Sequence, residues 1–116
     1  FSNARRAAEV HQTEYRPAYR ALHDAIKLKA DGSLNERFMH MNANKVLNQV
    51  AGIGAGERSR AGFLQQSLLA VGAALAAKAV LRADDSKGLQ QLIKTALLPL
   101  DGALSLEMDV GLVQRA

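Results

Sequence analysis

Cysteine is absent from this chain, and so is tryptophan. Without a thiol there is no disulfide, no thiol nucleophile and no zinc site built on thiolates. The absence identifies no compartment. Aromatic residues make up only 4% of the 116 positions, so a core must be built from aliphatic side chains. Proline occurs twice, at Pro17 and Pro99, which leaves long stretches free to be helical. No internal repeat and no low-complexity segment is present.

Hydrophobic residues are plentiful, at 48%, and a chain of this length folds as one domain around one modest core. The richest stretch is Gly62 to Ala83, GFLQQSLLAVGAALAAKAVLRA. Alanine and leucine dominate it, and both favour helix. Leu64, Leu68, Val71, Leu75 and Ala79 recur at helical spacing and are expected to form its core stripe. Ala70, Ala73, Ala74, Ala76 and Ala77 let neighbouring helices come close. The stretch is about as long as a bilayer span. Gln65, Gln66 and Lys78 lie inside it, however, and alanine drives insertion poorly, so the expectation is a buried bundle helix.

Three further helices follow from periodicity. Tyr15, Tyr19, Leu22 and Ile26 share one face across Pro17, so either a helix starts near Pro17 or one long helix kinks there. Ser33 to Glu36 reads as a capping box opening a second helix, with Met39, Ala43, Val46, Leu47 and Val50 inward. Asn42, Asn44, Asn48 and Gln49 read as outward or interfacial. Gly52, Gly54 and Gly56 mark a turn. The central helix is expected to begin as early as Ala55. Leu89, Leu92, Ile93, Ala96 and Leu97, after a Ser86 cap, define the last helix, which Pro99 ends or kinks. The expected segments are 17–30, 34–51, 57–83 and 87–98. Together they predict an all-α fold: a small up-and-down four-helix bundle with a basic N-terminal arm over 1–16 and a short C-terminal tail over 99–116. In that tail Leu104, Leu106, Met108, Val110 and Leu112 alternate with polar residues and glycine, which suits an extended segment pressing one face on a partner. A helix packed in the same bundle fits the same residues.

The chain carries a formal charge of +4 and a pI of about 9.8, which suits an anionic partner. Arg5, Arg6, Arg16 and Arg20 form a candidate docking strip, extended by Lys27 and Lys29. Stacking aromatics and a reading helix for nucleic acid are not legible. His11, His23 and His40 match no HExxH pattern, and no Ser/His/Asp arrangement is visible. The glycines at 52–56 lack the GxxxxGK[ST] signature of a phosphate loop. No catalytic residue, cofactor, metal site or small-molecule substrate is therefore expected. The start at Phe1 fits a processed or truncated product, and loss of a targeting peptide fits an organellar or exported protein.

With this order of helices the chain resembles the PsbQ-type extrinsic proteins of photosystem II. The likeness is carried by Tyr19–Leu28 as the first long helix, Asn35–Val50 as the second and Leu97-Leu98-Pro99-Leu100-Asp101 near the start of the last segment. It implies a basic four-helix bundle in the thylakoid lumen, a non-catalytic subunit that binds and shields a membrane complex. Its partners would be protein subunits, with peripheral contact to a membrane. A shorter stretch, Phe38 to Leu47, is similar to the HMHxNR segment near the end of lantibiotic dehydratases, with Asn42 in place of the second histidine and Lys45 in place of arginine. That likeness implies a C-terminal helical fragment of such an enzyme. A small basic nucleic-acid-associated protein is the remaining alternative.

Overall fold

The computed structural model describes residues 2–30, 36–54, 56–84 and 88–100, with side chains from residue 4 onward. The tail over 102–116, the capping residues 33–35 and the Ser86 cap lie outside them. Among the described residues the fold is all-helical, with no strand. Helix α1 spans Ser2–Val10, α2 Arg16–Ala30, α3 Glu36–Ala51 and α4 Phe63–Arg82. A last helix, α5, covers 89–100.

The first long helix is continuous from α1 into α2 through a π-helical turn at His11–Tyr15. Proline has no N–H to donate, and its ring collides with the carbonyl four residues back, here that of Thr13. The wider turn lies immediately before Pro17, where the regular ladder has to break. Of the two readings of Pro17, the structure takes the single long helix. Within the stretch expected as a basic arm over 1–16, the described residues are accordingly helix, and Ala7, Val10 and Tyr15 are buried. Its thin apolar face suffices because the opposing surface is rich in alanine and admits close approach.

Helix α4 is the common partner, with α1, α2 and α3 all packed on it. Its inward face differs from the expected stripe. Leu69, Ala73, Ala76 and Val80 are fully buried, with Gln66, Leu68, Gly72 and Ala77 beside them. Val71 is 48% exposed and Leu75 36% exposed, so both point outward. The physical reason is size. The small residues face inward because several helices converge there, and a larger residue would hold them apart. Gly72 shows this directly, since a Cβ there would lie 3.1 Å from Leu47 Cδ2 on α3 and 3.6 Å from Leu97 Cδ2 on α5. By length and composition α4 could also cross a membrane, but half of its apolar window is buried in the fold.

The inward faces of the other helices follow their spacing. Ala43, Val46, Leu47 and Val50 of α3 and Leu89, Ile93 and Leu97 of α5 are buried, and Met39 is packed at the margin of the core. Leu92 is exposed. Helix α5 also runs on through Pro99 to residue 100 rather than stopping at it.

Helix α4 begins at Phe63, not near Ala55. The intervening loop turns at Gly52 and Gly56, both with positive φ, and includes a 3₁₀ turn at Arg58–Arg60. Positive φ at these two positions suits glycine. Glu57 does not serve the start of α4 as its charge suggests, because its carboxylate accepts the N–H of Gly54 at 3.4 Å within the loop. At the start of α4, Gln65 Oε1 accepts the N–H of Gly62 at 3.1 Å, which is one half of a capping box.

Candidate functional site

Both tyrosines and all three histidines of the chain meet in one array. His11, Tyr15, Tyr19 and His23 follow one another at four-residue spacing along the first long helix. Their ring centroids are 5.2, 5.5 and 4.2 Å apart in turn. In a regular α-helix a four-residue step drifts around the axis. The π turn reduces that drift at its own position, which keeps His11 and Tyr15 in line with the rings that follow.

Arg58, from the loop before α4, closes over the middle of this row. Its guanidinium donates to Tyr15 Oη at 2.9 Å, to Asn48 Oδ1 at 2.7 Å and to the Asn44 carbonyl at 3.3 Å. It also lies 5.3 Å from the Tyr19 ring centroid, within range of a cation–π contact. One cation thus joins α2, α3 and the loop. Burial pushes the Tyr15 phenol up from its ordinary range, and the neighbouring Arg58 charge and hydrogen bond oppose that rise.

At one end of the row sits Gln66, the buried polar residue of α4, with no exposed surface. Its amide nitrogen donates to the carbonyls of Arg58 and Ala61, and its Oε1 accepts from His11 Nδ1 at 3.0 Å. The loop is thereby tied to both long helices. At the other end His23 of α2 meets His40 of α3, Nδ1 to Nδ1 at 2.5 Å, with Asn44 and Glu36 on their far nitrogens. Burial holds His23 below the ordinary histidine range, Asn44 works against that effect, and His40 and Arg58 add to it. Among the described residues no buried side-chain nitrogen or oxygen lacks a hydrogen-bond partner. Most of the array's polar groups are thus paired with one another.

The sequence-derived site residues fall elsewhere. Arg5, Arg6, Arg16 and Arg20 are all exposed. Arg16 and Arg20 come together on one open cleft of about 520 Å³, with Gln12, Pro17, Ala21 and Asp24. Arg6 lines a different cleft, beside Phe63 and Ser67. Leu104, Leu106, Met108 and Val110 lie outside the described residues. Among the described residues no group of three or more histidines and carboxylates is placed to hold a metal ion.

Sequence reasoning passed over Arg58, Gln66, Asn44 and Asn48. The available signal was the four-residue step from His11 to His23, a row of polar aromatics on a helix whose core face is otherwise aliphatic. Compared with protein-family models, with curated proteins and with solved structures, the chain matches none of them.

Proposed function

We propose that the chain is a non-catalytic docking subunit, a small up-and-down helical bundle that binds a protein partner within a larger, membrane-associated complex. The observation that carries this reading is the outward face of α4. Val71, Ala74, Leu75 and Leu81 stand exposed there, and the charged residues beside them, Lys78 and Arg82, are both cations. Single exposed aliphatic side chains are ordinary, but a row of them along one helix face is a recurring feature of binding surfaces. Its pattern fits an apolar helix or groove with carboxylates towards one end.

Two further features support docking over catalysis. The histidines and Tyr15 are engaged in the internal array, where they join helices to one another. The Arg16–Arg20 cleft adds a second cationic contact for an acidic partner. The likeness of the sequence to the PsbQ-type proteins points towards a subunit of a membrane complex in the thylakoid lumen, and it rests on the helix pattern alone.

The test is native electrophoresis of gently prepared extracts. Val71→Asp with Leu75→Asp should leave helix content intact and abolish co-migration with the larger assembly. Arg16→Glu with Arg20→Glu should weaken that association and reduce its salt dependence. Undiminished co-migration of the Val71/Leu75 variant would show that α4 does not dock. A stable dimer of the purified wild-type chain through the same face would make the partner a second copy.

A further inference from the structure

The contact between His23 and His40 has a property that neither residue has alone. The ring planes are 19° apart, and the centroids are 4.8 Å apart across an Nδ1···Nδ1 contact of 2.5 Å. Two nearly coplanar rings with that separation meet edge to edge, not face to face. Each ring's other nitrogen points at an oxygen. His23 Nε2 lies 3.1 Å from Asn44 Oδ1, and His40 Nε2 lies 3.4 Å from Glu36 Oε1. A carboxylate and an amide oxygen only accept, so both Nε2 atoms carry hydrogen. In two neutral rings the Nδ1 lone pairs would then face each other at hydrogen-bonding distance, which is repulsive. One additional proton on the Nδ1–Nδ1 axis removes the conflict and completes an unbroken chain from Glu36 through His40 and His23 to Asn44.

We infer that His23 and His40 form a one-proton site that latches α2 to α3, occupied by a single shared proton and forced open by a second. A second proton would place two N–H donors nose to nose, with the rings already in contact. The groups that face the pair account for its preference for one charge. Glu36 on α3 and Asp24 on α2 favour a cation there. Arg58 from the loop disfavours a second one, and Tyr19 covers one ring face of His23. The site has a neutral alternative as well. If the Asn44 amide turns over, its NH₂ donates to His23 Nε2, His23 Nδ1–H donates to His40, and Glu36 is still satisfied. Loss of the shared proton therefore reverses the amide and keeps the latch closed.

Acid has the opposite effect. With His23 held below the ordinary histidine range by burial, the folded chain protonates this residue less readily than the unfolded chain does. The contribution of this residue to stability is thus fully present above the ordinary pKa of about 6.5 and is lost as pH falls below it. Helices α2 and α3 pack more on α4 than on each other, and the histidine contact is one of the places where they meet directly. A metal ion fits less well than a proton. Two nitrogens sharing one zinc at about 2.0–2.1 Å each would sit more than about 3 Å apart. No third ligand is placed among the described residues.

The experiment is ¹⁵N NMR of the imidazole nitrogens of the full chain, from about pH 8 to about pH 4. The expected result is that His23 and His40 titrate as a coupled pair in two steps about 1 pH unit or more apart. The second step should coincide with faster amide exchange along the facing turns of α2 and α3. His40→Gln keeps a donor for His23 Nδ1 but cannot share a proton, so in that variant His23 should show one step and the acid-induced exchange should diminish. Independent single-step titration of both histidines in the wild-type chain would overturn the proposal. So would acid-accelerated exchange of equal size in His40→Gln, or zinc uptake that replaces the shared-proton signal.

Discussion

Where α4 meets its neighbours the contact is dry and made of small residues; where the first long helix meets α3 and the 52–62 loop it is wet and made of directed hydrogen bonds. The dry joint relies on volume. Leu69, Ala73, Ala76 and Val80 are fully buried, and Gly72 lets Leu47 and Leu97 reach the helix backbone. The wet joint relies on direction, with Arg58 and Gln66 together holding groups on α1–α2, α3 and the loop. Dispersion and burial spread the energy of the first over many weak contacts. Hydrogen bonds concentrate that of the second in a few donors, whose loss leaves partners unsatisfied. The first joint is therefore sensitive to the size of almost any of its residues, and the second to the identity of only a few.

The sharpest way to break the dry joint is Leu69→Ala. Leu69 has no exposed surface and lies within the common core cluster. Removing it should cost about 2–5 kcal/mol, the range for buried leucine truncations that leave a cavity. Urea denaturation followed by circular dichroism measures this loss. A cost below about half a kcal/mol would mean that the bundle does not pack around this face of α4.

For the wet joint the corresponding change is Arg58→Ala, which strands Tyr15 Oη and Asn48 in a partly buried setting. The expected cost is about 1–3 kcal/mol, that of a buried polar group left without its partner. Arg58→Lys should recover little of it, because a point-like ammonium cannot replace a fork that reaches three acceptors. Ultraviolet titration supplies an independent reading. Burial raises the Tyr15 pKa while Arg58 opposes the rise, so removing Arg58 should move the phenol further up. A downward movement would show that Arg58 does not face Tyr15 in solution.

The dry joint was largely legible in the sequence, and the wet one was not. The aliphatic spacing in α3 and α5 named Ala43, Val46, Leu47, Val50, Leu89, Ile93 and Leu97, all of which are buried. It failed on the phase of α4 because that helix is apolar nearly all the way round. Periodicity then loses its contrast, and choosing the larger aliphatic residues selected part of the outer face. Start points were also poorly marked. Residues 56–62 carry no proline to mark the boundary, while their path is set by Arg58 and Gln66, whose contacts span the tertiary structure. The same limit hid the array. Asn44 and Asn48 look like ordinary surface asparagines until Arg58 is placed beside them, and no local pattern connects a residue at 58 with one at 15.

The smallest effect discriminates best between the two faces of α4. Leu75 lies within the stripe that spacing suggests, and a core position there would make Leu75→Ala as costly as Leu69→Ala. In the structure Leu75 is 36% exposed, so truncation removes side-chain surface that is already partly in water and opens no enclosed cavity. Alanine is also the better helix former, which offsets part of what is lost. The expected change is therefore within about 1 kcal/mol of zero, as for substitutions away from a packed core. Measured beside Leu69→Ala under identical denaturation conditions, the pair fixes the rotation of α4 about its own axis. Comparable large losses at both positions would mean that the outward face is covered in the isolated chain, and the row from Val71 to Leu81 would then be core instead of a docking surface.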